Sequence, residues 1–336
     1  MSIKQQPICV LGAGAWGTAL TLLLLRNSNN VRLWSHDPEQ VAIMRTQKAN
    51  PEFLPGFDLP KSLSIESDLA SALQDVSDIL IAVPSRVFSE TLIKIKAIRE
   101  NDWRIAWGTK GLDHGSGGLL SERVAEILGR TTPAAVLSGP SFAHELAAGL
   151  PTAVSLSGNQ TEFLRDLMIR FHGDNLRVYE NPDFMGVQLC GVVKNVLAIA
   201  VGIADGLELG ANARCALITR GLAEMSRLNA ALGGKPSTLM SLAGIGDLVL
   251  TCTDNQSRNR RFGLAVGQGF SPEQAALQVN KIIEGLTNIK QVRDLARHFL
   301  IEMPITEEIH KILYHGHSPR EVVTSLLKRE PRVEIL

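Results

Sequence analysis

Short apolar runs closed by small-residue turns dominate the first half of the chain. Ile8 to Leu11, Val31 to Ser35, Ile79 to Val83, Arg104 to Trp107, Ala135 to Leu137 and Ala153 to Leu156 have the length and unbroken hydrophobicity of strands buried on both faces. Between the first two lies a helical run, Thr18 to Leu25. From about residue 183 the period changes. Val187 to Ala204 and Ala211 to Leu232 repeat their apolar positions as helices do, and strand patterns largely stop after Leu156. The pattern predicts an α/β chain in two parts: a doubly wound sheet over residues 1–182, then a mostly helical domain over 183–336.

The first strand runs directly into Gly12-Ala-Gly14-Ala-Trp-Gly17 and then into the helix. Gly12 permits the tight turn, Gly14 lets a pyrophosphate approach the backbone, and Gly17 lets helix and strand pack closely. The free amides at the helix start then face the phosphates. This is the dinucleotide-binding signature of a Rossmann-type domain. The second strand ends in Ser35 and His36, with Asp37 beyond, where an NAD-specific domain places a carboxylate on the ribose 2′-hydroxyl. A hydroxyl and an imidazole accept a 2′-phosphate, so NADPH and NADP are expected. Use of NADH and NAD depends on whether Asp37 turns toward the ribose, and the alternative for His36 is an exposed turn residue.

Ligands of such sheets sit outside the carboxyl ends of the strands. Lys110 is the only charge in the turn Gly108-Thr-Lys-Gly111, which suits a phosphate or polar substrate. The Gly-Ser-Gly-Gly run at 115–118 reads as a flexible connection. In the second half, Lys194 and Asn195 interrupt the longest apolar stretch. A membrane span is a poor reading, since a central lysine costs about 2.5–3.5 kcal/mol on insertion scales. Two readings remain: a side chain snorkelling to solvent, or a buried ammonium that pairs with an anion or shifts toward neutrality and becomes a proton donor.

Asp247, among the glycines of Leu242-Ala-Gly-Ile-Gly-Asp, is either a helix cap or a partner for Lys194. Ser257-Arg-Asn-Arg-Arg261 concentrates guanidinium groups that match phosphate oxygens, against the alternative of a solvated basic turn. Glu284, behind Ile282 and Ile283, contacts cofactor hydroxyls or caps a helix.

Composition narrows the classes. With 45% hydrophobic and 20% charged residues, and 34 Lys and Arg balanced by 34 Asp and Glu, the chain is expected to be a globular protein with no general nucleic-acid or membrane-surface partner. Four scattered cysteines show no metal-ligand spacing and read as reduced core residues of a cytoplasmic protein. No signal peptide is evident, His315 and His317 lie in a polar turn, and no metal is expected.

In order, GAGAWGTAL at 12–20, IAVPS at 81–85, KGL at 110–112, LSGPSFAHE at 137–145, GVVKNVLAIAVGIADG at 191–206, LAGIGDLVLTC at 242–252, SRNRRFG at 257–263 and IIEG at 282–285 resemble the NAD(P)-dependent sn-glycerol-3-phosphate dehydrogenase family of bacterial type. The resemblance spans nearly the whole chain. It implies reversible reduction of dihydroxyacetone phosphate to sn-glycerol 3-phosphate for glycerophospholipid synthesis, in the cytoplasm and as a homodimer. It implies that Lys194 is the catalytic proton donor. Lys110, Gly139, Ser141, Lys194, Asp247, Ser257, Arg258 and Asn259 would line the substrate. Cofactor contacts would fall on Gly12, Gly14, Ala15, Trp16, Gly17, His36, Lys110, Ala143, Arg258, Ile282 and Glu284. Two other classes share part of the pattern: a ketopantoate or hydroxyacid reductase, which needs no phosphate-binding arginine, and a non-enzymatic NADP sensor, which needs no buried lysine.

Overall fold

The computed structural model describes residues 3–100, 102–279 and 283–327. The chain divides into two compact units, Met1–Gly191 with Met240–Asp247, and Val192–Leu239 with Leu248–Leu336. In chain order the first half contains β1 (Ile8–Leu11), α1 (Ala15–Arg26), β2 (Val31–Trp34), α2 (Pro38–Gln47), a small hairpin of β3 (Ala49–Asn50) and β4 (Leu54–Asp58), β5 (Ser64–Glu66), α3 (Leu69–Leu73), β6 (Asp78–Ile81) and α4 (Phe88–Ile98). It continues through β7 (Arg104–Trp107), α5 (Leu120–Leu128), β8 (Ala134–Ser138), α6 (Ala143–Ala148), β9 (Thr152–Gly158), α7 (Thr161–Phe171) and β10 (Leu176–Glu180).

The main sheet has eight strands in the order β10-β9-β8-β7-β6-β1-β2-β5. β1 lies between β6 and β2, parallel to both, so the winding direction reverses at its carboxyl end. That reversal opens the crevice in which doubly wound sheets bind ligands. Alternate residues of β1 serve two cores: Ile8 and Val10 join one apolar cluster, Cys9 and Leu11 the other. Burial on both faces is why the strand shows no polar alternation.

The strand expected to be last is followed by another. β10 pairs in parallel with β9 at the sheet edge, and its Leu-Arg-Val-Tyr-Glu sequence buries only Leu176 and Val178. Such an edge needs only a half-apolar strand, so its signal is weak. β9 runs antiparallel to β8, so the sheet is mixed. The Gly-Ser-Gly-Gly segment is also better anchored than its composition suggests, because the Asp113 carboxylate accepts from the amides of Gly115 (3.1 Å) and Ser116 (2.7 Å). At the amino end of β6, Asp78 binds the fully buried Arg170 at 2.8 Å and Arg104 at 2.5 Å.

The remaining helices are α8 (Phe184–Gly206), α9 (Gly210–Ala231), α10 (Asp247–Thr253), α11 (Arg258–Gly267), α12 (Pro272–Val279), α13 (Glu284–His298), α14 (Pro304–His315) and α15 (Pro319–Leu327). α8 has the length and apolarity to cross a bilayer, yet its most apolar window is wholly buried inside the protein. In the second unit α8 and α11 meet backbone to backbone. A Cβ at Gly202 would stand 2.9 Å from the Leu264 nitrogen, and one at Gly263 would stand 3.0 Å from the Ile199 carbonyl carbon. Of the four cysteines, Cys9, Cys190 and Cys252 are buried and Cys215 is exposed, a departure from the expected core placement. Burial pushes the Cys9 and Cys190 thiols up to about 12, so both stay protonated at neutral pH.

A buried carboxylate holds the start of α14. Glu224 of α9 accepts from the amides of Ile305 (2.5 Å) and Thr306 (3.3 Å) and from the Thr306 hydroxyl (3.1 Å). Burial outweighs these donors and raises its pKa from 4.5 to about 7. The folded protein therefore holds a proton there that the unfolded chain releases near 4.5. The associated stability is complete below about 4.5 and is lost as pH rises through about 7. Glu224→Gln, an isostere of the protonated acid, should gain melting temperature relative to the parent between pH 5 and pH 8. Parallel melting curves across that range would contradict the assignment.

Candidate active site

Each predicted cofactor residue of the first unit lies at a carboxyl end of a sheet strand or at the start of the next helix. Gly12 takes φ +112°, and a Cβ there would meet the Ala82 and Val83 backbone at 3.0 Å. A Cβ at Gly17 would collide with the Gly12 carbonyl oxygen, whereas none of the surroundings comes within 4 Å of one at Gly14. The turn is thus closed toward β6 and open at its middle glycine, the shape a pyrophosphate requires. α1 begins at Ala15 with Gly14 as its N-cap, and among the described residues no side chain caps it. The amides of its first turn stay available to an anion.

The Trp16 indole lies over Gly108 at the end of β7, and its Nε1 is buried without a hydrogen-bond partner among the described residues. Open glycine, uncapped helix and orphaned indole N–H together fit a dinucleotide. His36 is exposed beyond β2, with its ring centroid 6.5 Å from that of Trp34. Asp37 does not turn toward a ribose. It N-caps α2, its Oδ1 accepting from Glu39 at 2.9 Å and from Gln40 at 3.4 Å. Ala143 opens α6, and Ile282 lies outside the described residues.

The structure brings together the substrate residues predicted in the first unit. Lys110 Nζ stands 2.6 Å from Asp247 Oδ2 and 3.3 Å from the Gly139 carbonyl. Ser141 Oγ donates to that same carbonyl at 2.9 Å. Gly139 adopts φ +152°, and a Cβ there would lie 2.9 Å from Val154 Cα. Asp247 is the first residue of α10 and is 1% exposed, with Lys110 as a counter-ion. The end of β8 is pressed against α8, since a Cβ on Gly191 would sit 3.3 Å from Ser138 Oγ and 3.5 Å from Lys110 Cγ.

In the second unit Lys194 is 6% exposed, not snorkelling, and its Nζ donates to Thr251 Oγ1 at 3.0 Å. Thr251 did not stand out from sequence. Its position four residues after Asp247, one helical turn along α10, was the available signal. The arginine cluster separates into different roles. Ser257 N-caps α11 by accepting from the Arg260 amide at 3.2 Å, which places Arg258 at the start of a ten-residue helix. Burial pulls the Arg258 guanidinium below its ordinary value, Glu284 opposes that shift, and Arg261 adds to it. Arg260 pairs with the buried Asp205 of α8 at 2.5 Å, so it is structural and not part of an anion cradle. Asn259 is buried between two elements, donating to Asn195 Oδ1 at 2.9 Å and accepting from the Gly285 amide at 3.0 Å. Glu284, in the first turn of α13, adjoins that contact. Among the described residues there is no group of metal-ligating side chains.

The strand order, the open glycine turn and the buried lysine define a nicotinamide-dependent dehydrogenase. Family models described as the N-terminus and C-terminus of NAD-dependent glycerol-3-phosphate dehydrogenase match residues 7–164 and 183–324. The chain is 53% identical over 335 residues to glycerol-3-phosphate dehydrogenase [NAD(P)+] of Shigella boydii, covering 99% of each protein. It superposes on the crystal structure of glycerol-3-phosphate dehydrogenase from Coxiella burnetii with TM-score 0.94 and 53% identity, covering 97% of this chain and 99% of the other. The Plasmodium falciparum glycerol-3-phosphate dehydrogenase structure shares the fold at 23% identity, with TM-score 0.87 and coverage of 98% and 97%. The chain belongs to the NAD-dependent glycerol-3-phosphate dehydrogenase family, and its cofactor is NAD or NADP.

The Lys110–Asp247 pair makes a stability test independent of ligands. Asp247→Asn leaves a largely enclosed ammonium without this counter-ion and should cost about 3 kcal/mol in urea unfolding. Adding Lys110→Met should recover most of that loss. A single variant as stable as the parent would show that the pair carries no such role.

Proposed function

We propose that the protein catalyses the reversible reduction of dihydroxyacetone phosphate to sn-glycerol 3-phosphate with NADPH, and with NADH as the weaker alternative. The observation that carries this reading is Lys194, a cation enclosed in the most apolar helix of the chain and fixed through its Nζ to a hydroxyl. Nothing in packing requires an ammonium there, whereas ketone reduction requires a proton donor in a dry site. A reduced nicotinamide supplies the hydride.

The chain's own residues supply the rest. Lys194 Nζ gives a proton to the carbonyl oxygen as the alcohol forms and takes it back in the oxidation direction. Its positive charge stabilises the alkoxide character that develops on that oxygen. Asp247 holds the Lys110 ammonium in place. Ser257 and Arg258, at the amino end of α11, suit the substrate phosphate, where the positive end of the helix dipole and a guanidinium fork add to one another. Asn259 serves this phosphate site mainly by fixing α11 against α8 and α13. Asp37, occupied as the cap of α2, leaves His36 to meet the 2′ position, which supports NADPH. Glycerophospholipid synthesis, a cytoplasmic setting and a homodimer complete the reading and rest on family resemblance.

Lys194→Ala should lower kcat by about 10²–10⁴-fold with NADPH and dihydroxyacetone phosphate. Turnover within a few-fold of the parent would remove Lys194 from the chemistry. Arg258→Ala should raise the KM for dihydroxyacetone phosphate by about 10–100-fold. Unphosphorylated dihydroxyacetone should not distinguish it from the parent. If unphosphorylated ketones or ketoacids were the better substrates, a hydroxyacid or ketopantoate reductase would be the correct reading. No nicotinamide oxidation with any ketone would point to a nucleotide sensor.

A further inference from the structure

The carbonyl oxygen of Ala13, in the middle of the glycine turn, is gripped by two side-chain amides from outside the turn. Gln40 of α2 donates Nε2 to it at 2.8 Å, and Asn50 of β3 donates Nδ2 to it at 2.8 Å. The Thr18 hydroxyl of α1 approaches the same oxygen at 3.4 Å. Both amides are fixed at their other ends. The Gln40 Oε1 accepts from Ser35 Oγ at 2.5 Å, and that hydroxyl in turn accepts from the Asp37 amide at 3.3 Å. Asn50 also donates to Thr18 Oγ1 at 2.8 Å, while its Oδ1 accepts from the Phe53 amide at 3.4 Å. All four side chains, Thr18, Ser35, Gln40 and Asn50, are buried. Only a donor suits the carbonyl and only an acceptor suits the serine hydroxyl as placed, so the orientation of the Gln40 amide is determined by its partners.

The position of this clamp has a chemical reason. Helices are usually held at their start by a side chain that occupies one of the free N–H groups of the first turn. Among the described residues α1 has none, and a pyrophosphate needs those same amides. A turn that keeps its amides free for a ligand must be fixed by its carbonyls. The Ala13 carbonyl and the Gly14 N–H belong to one trans peptide plane and point in opposite directions. Two donors on the carbonyl, from different elements, prevent that plane from rotating and hold Gly14 as the residue from which α1 departs.

We propose that Gln40 and Asn50 are positioning residues for the cofactor pyrophosphate: they clamp the Ala13 carbonyl so that the Gly14 peptide and the first-turn amides of α1 face the phosphates before the nucleotide arrives. Neither touches the nucleotide. They act by preorganisation, lowering the ordering cost of binding. The inference rests on the dinucleotide site alone and is independent of the ketone substrate.

The test is equilibrium binding of NADPH and of NADH to the full chain without ketone, followed by nicotinamide fluorescence, for Gln40→Glu and Asn50→Asp. Each change keeps the side-chain shape and replaces the donor at the Ala13 carbonyl with an acceptor. Each variant should bind both nucleotides about tenfold more weakly, since an enclosed carbonyl loses a donor and gains a repulsive neighbour. The NADPH to NADH affinity ratio should stay within twofold of the parent, because the pyrophosphate is common to both. Thermal unfolding without nucleotide identifies a variant that has failed to fold. Gln40→Met, uncharged and of similar volume, then carries the same expectation. Affinities within twofold of the parent in the folded variants would overturn the proposal. So would a change in the affinity ratio, which would show a general loosening around α2 and His36.

Discussion

The close crossing of α8 and α11 is the constraint on which the second unit depends. Four glycines make it: besides Gly202 and Gly263, a Cβ at Gly206 would lie 2.9 Å from the Gln268 nitrogen, and one at Gly267 would lie 3.0 Å from the Ile203 carbonyl carbon. Glycine in helices costs about 1 kcal/mol per residue relative to alanine. Four in one crossing are retained because larger residues would force the axes apart. The separation fixed here sets the distance between the helix that bears Lys194 and the helix whose amino end presents Ser257 and Arg258, the two places to which the proposed chemistry assigns the proton and the phosphate. Arg260 locks the same pair electrostatically through Asp205, and Asn259 locks it through Asn195.

Several charged groups are tied into the frame of the protein. Arg260, Arg170 and Arg104 have carboxylate partners at 2.5 to 2.8 Å and are tied into the frame. Lys110 is also paired, but its partner Asp247 lies at a helix start beside the Gly139 turn, at the strand ends where ligands bind. Buried ion pairs are weak contributors to stability but strong determinants of geometry, because a partner that moves leaves an unpaired charge behind. An ammonium so held can polarise a substrate oxygen without reorganising first.

The parts legible in the sequence share a property: their signal is local. The glycine turn, six of the sheet strands and the lysine in an apolar helix each sit within a few consecutive residues. The edge strand β10 escaped because one exposed face leaves only two buried positions, too few to stand out. The arginine cluster could be seen but not divided, since the carboxylate that ties down Arg260 lies 55 residues away in the sequence. Gln40 and Asn50 were invisible for the same reason. Their partner, the Ala13 carbonyl, is 27 and 37 residues distant, and a backbone oxygen leaves no mark in composition.

Asp37 shows how a residue's local role limits its chemical one. Read by position it is a candidate ribose acceptor, three places past the end of β2; read by structure it is the cap of α2, a role worth about 1 kcal/mol. The two roles compete for the same oxygens, since a carboxylate turned to the 2′-hydroxyl would abandon the Glu39 and Gln40 amides. Gln40 couples this choice to the glycine turn, because the helix that Asp37 caps is also the one that delivers the Gln40 amide to Ala13. Loosening the cap to favour the 2′-hydroxyl would therefore loosen the phosphate site. A nucleotide whose 2′ group asks nothing of Asp37 leaves both intact.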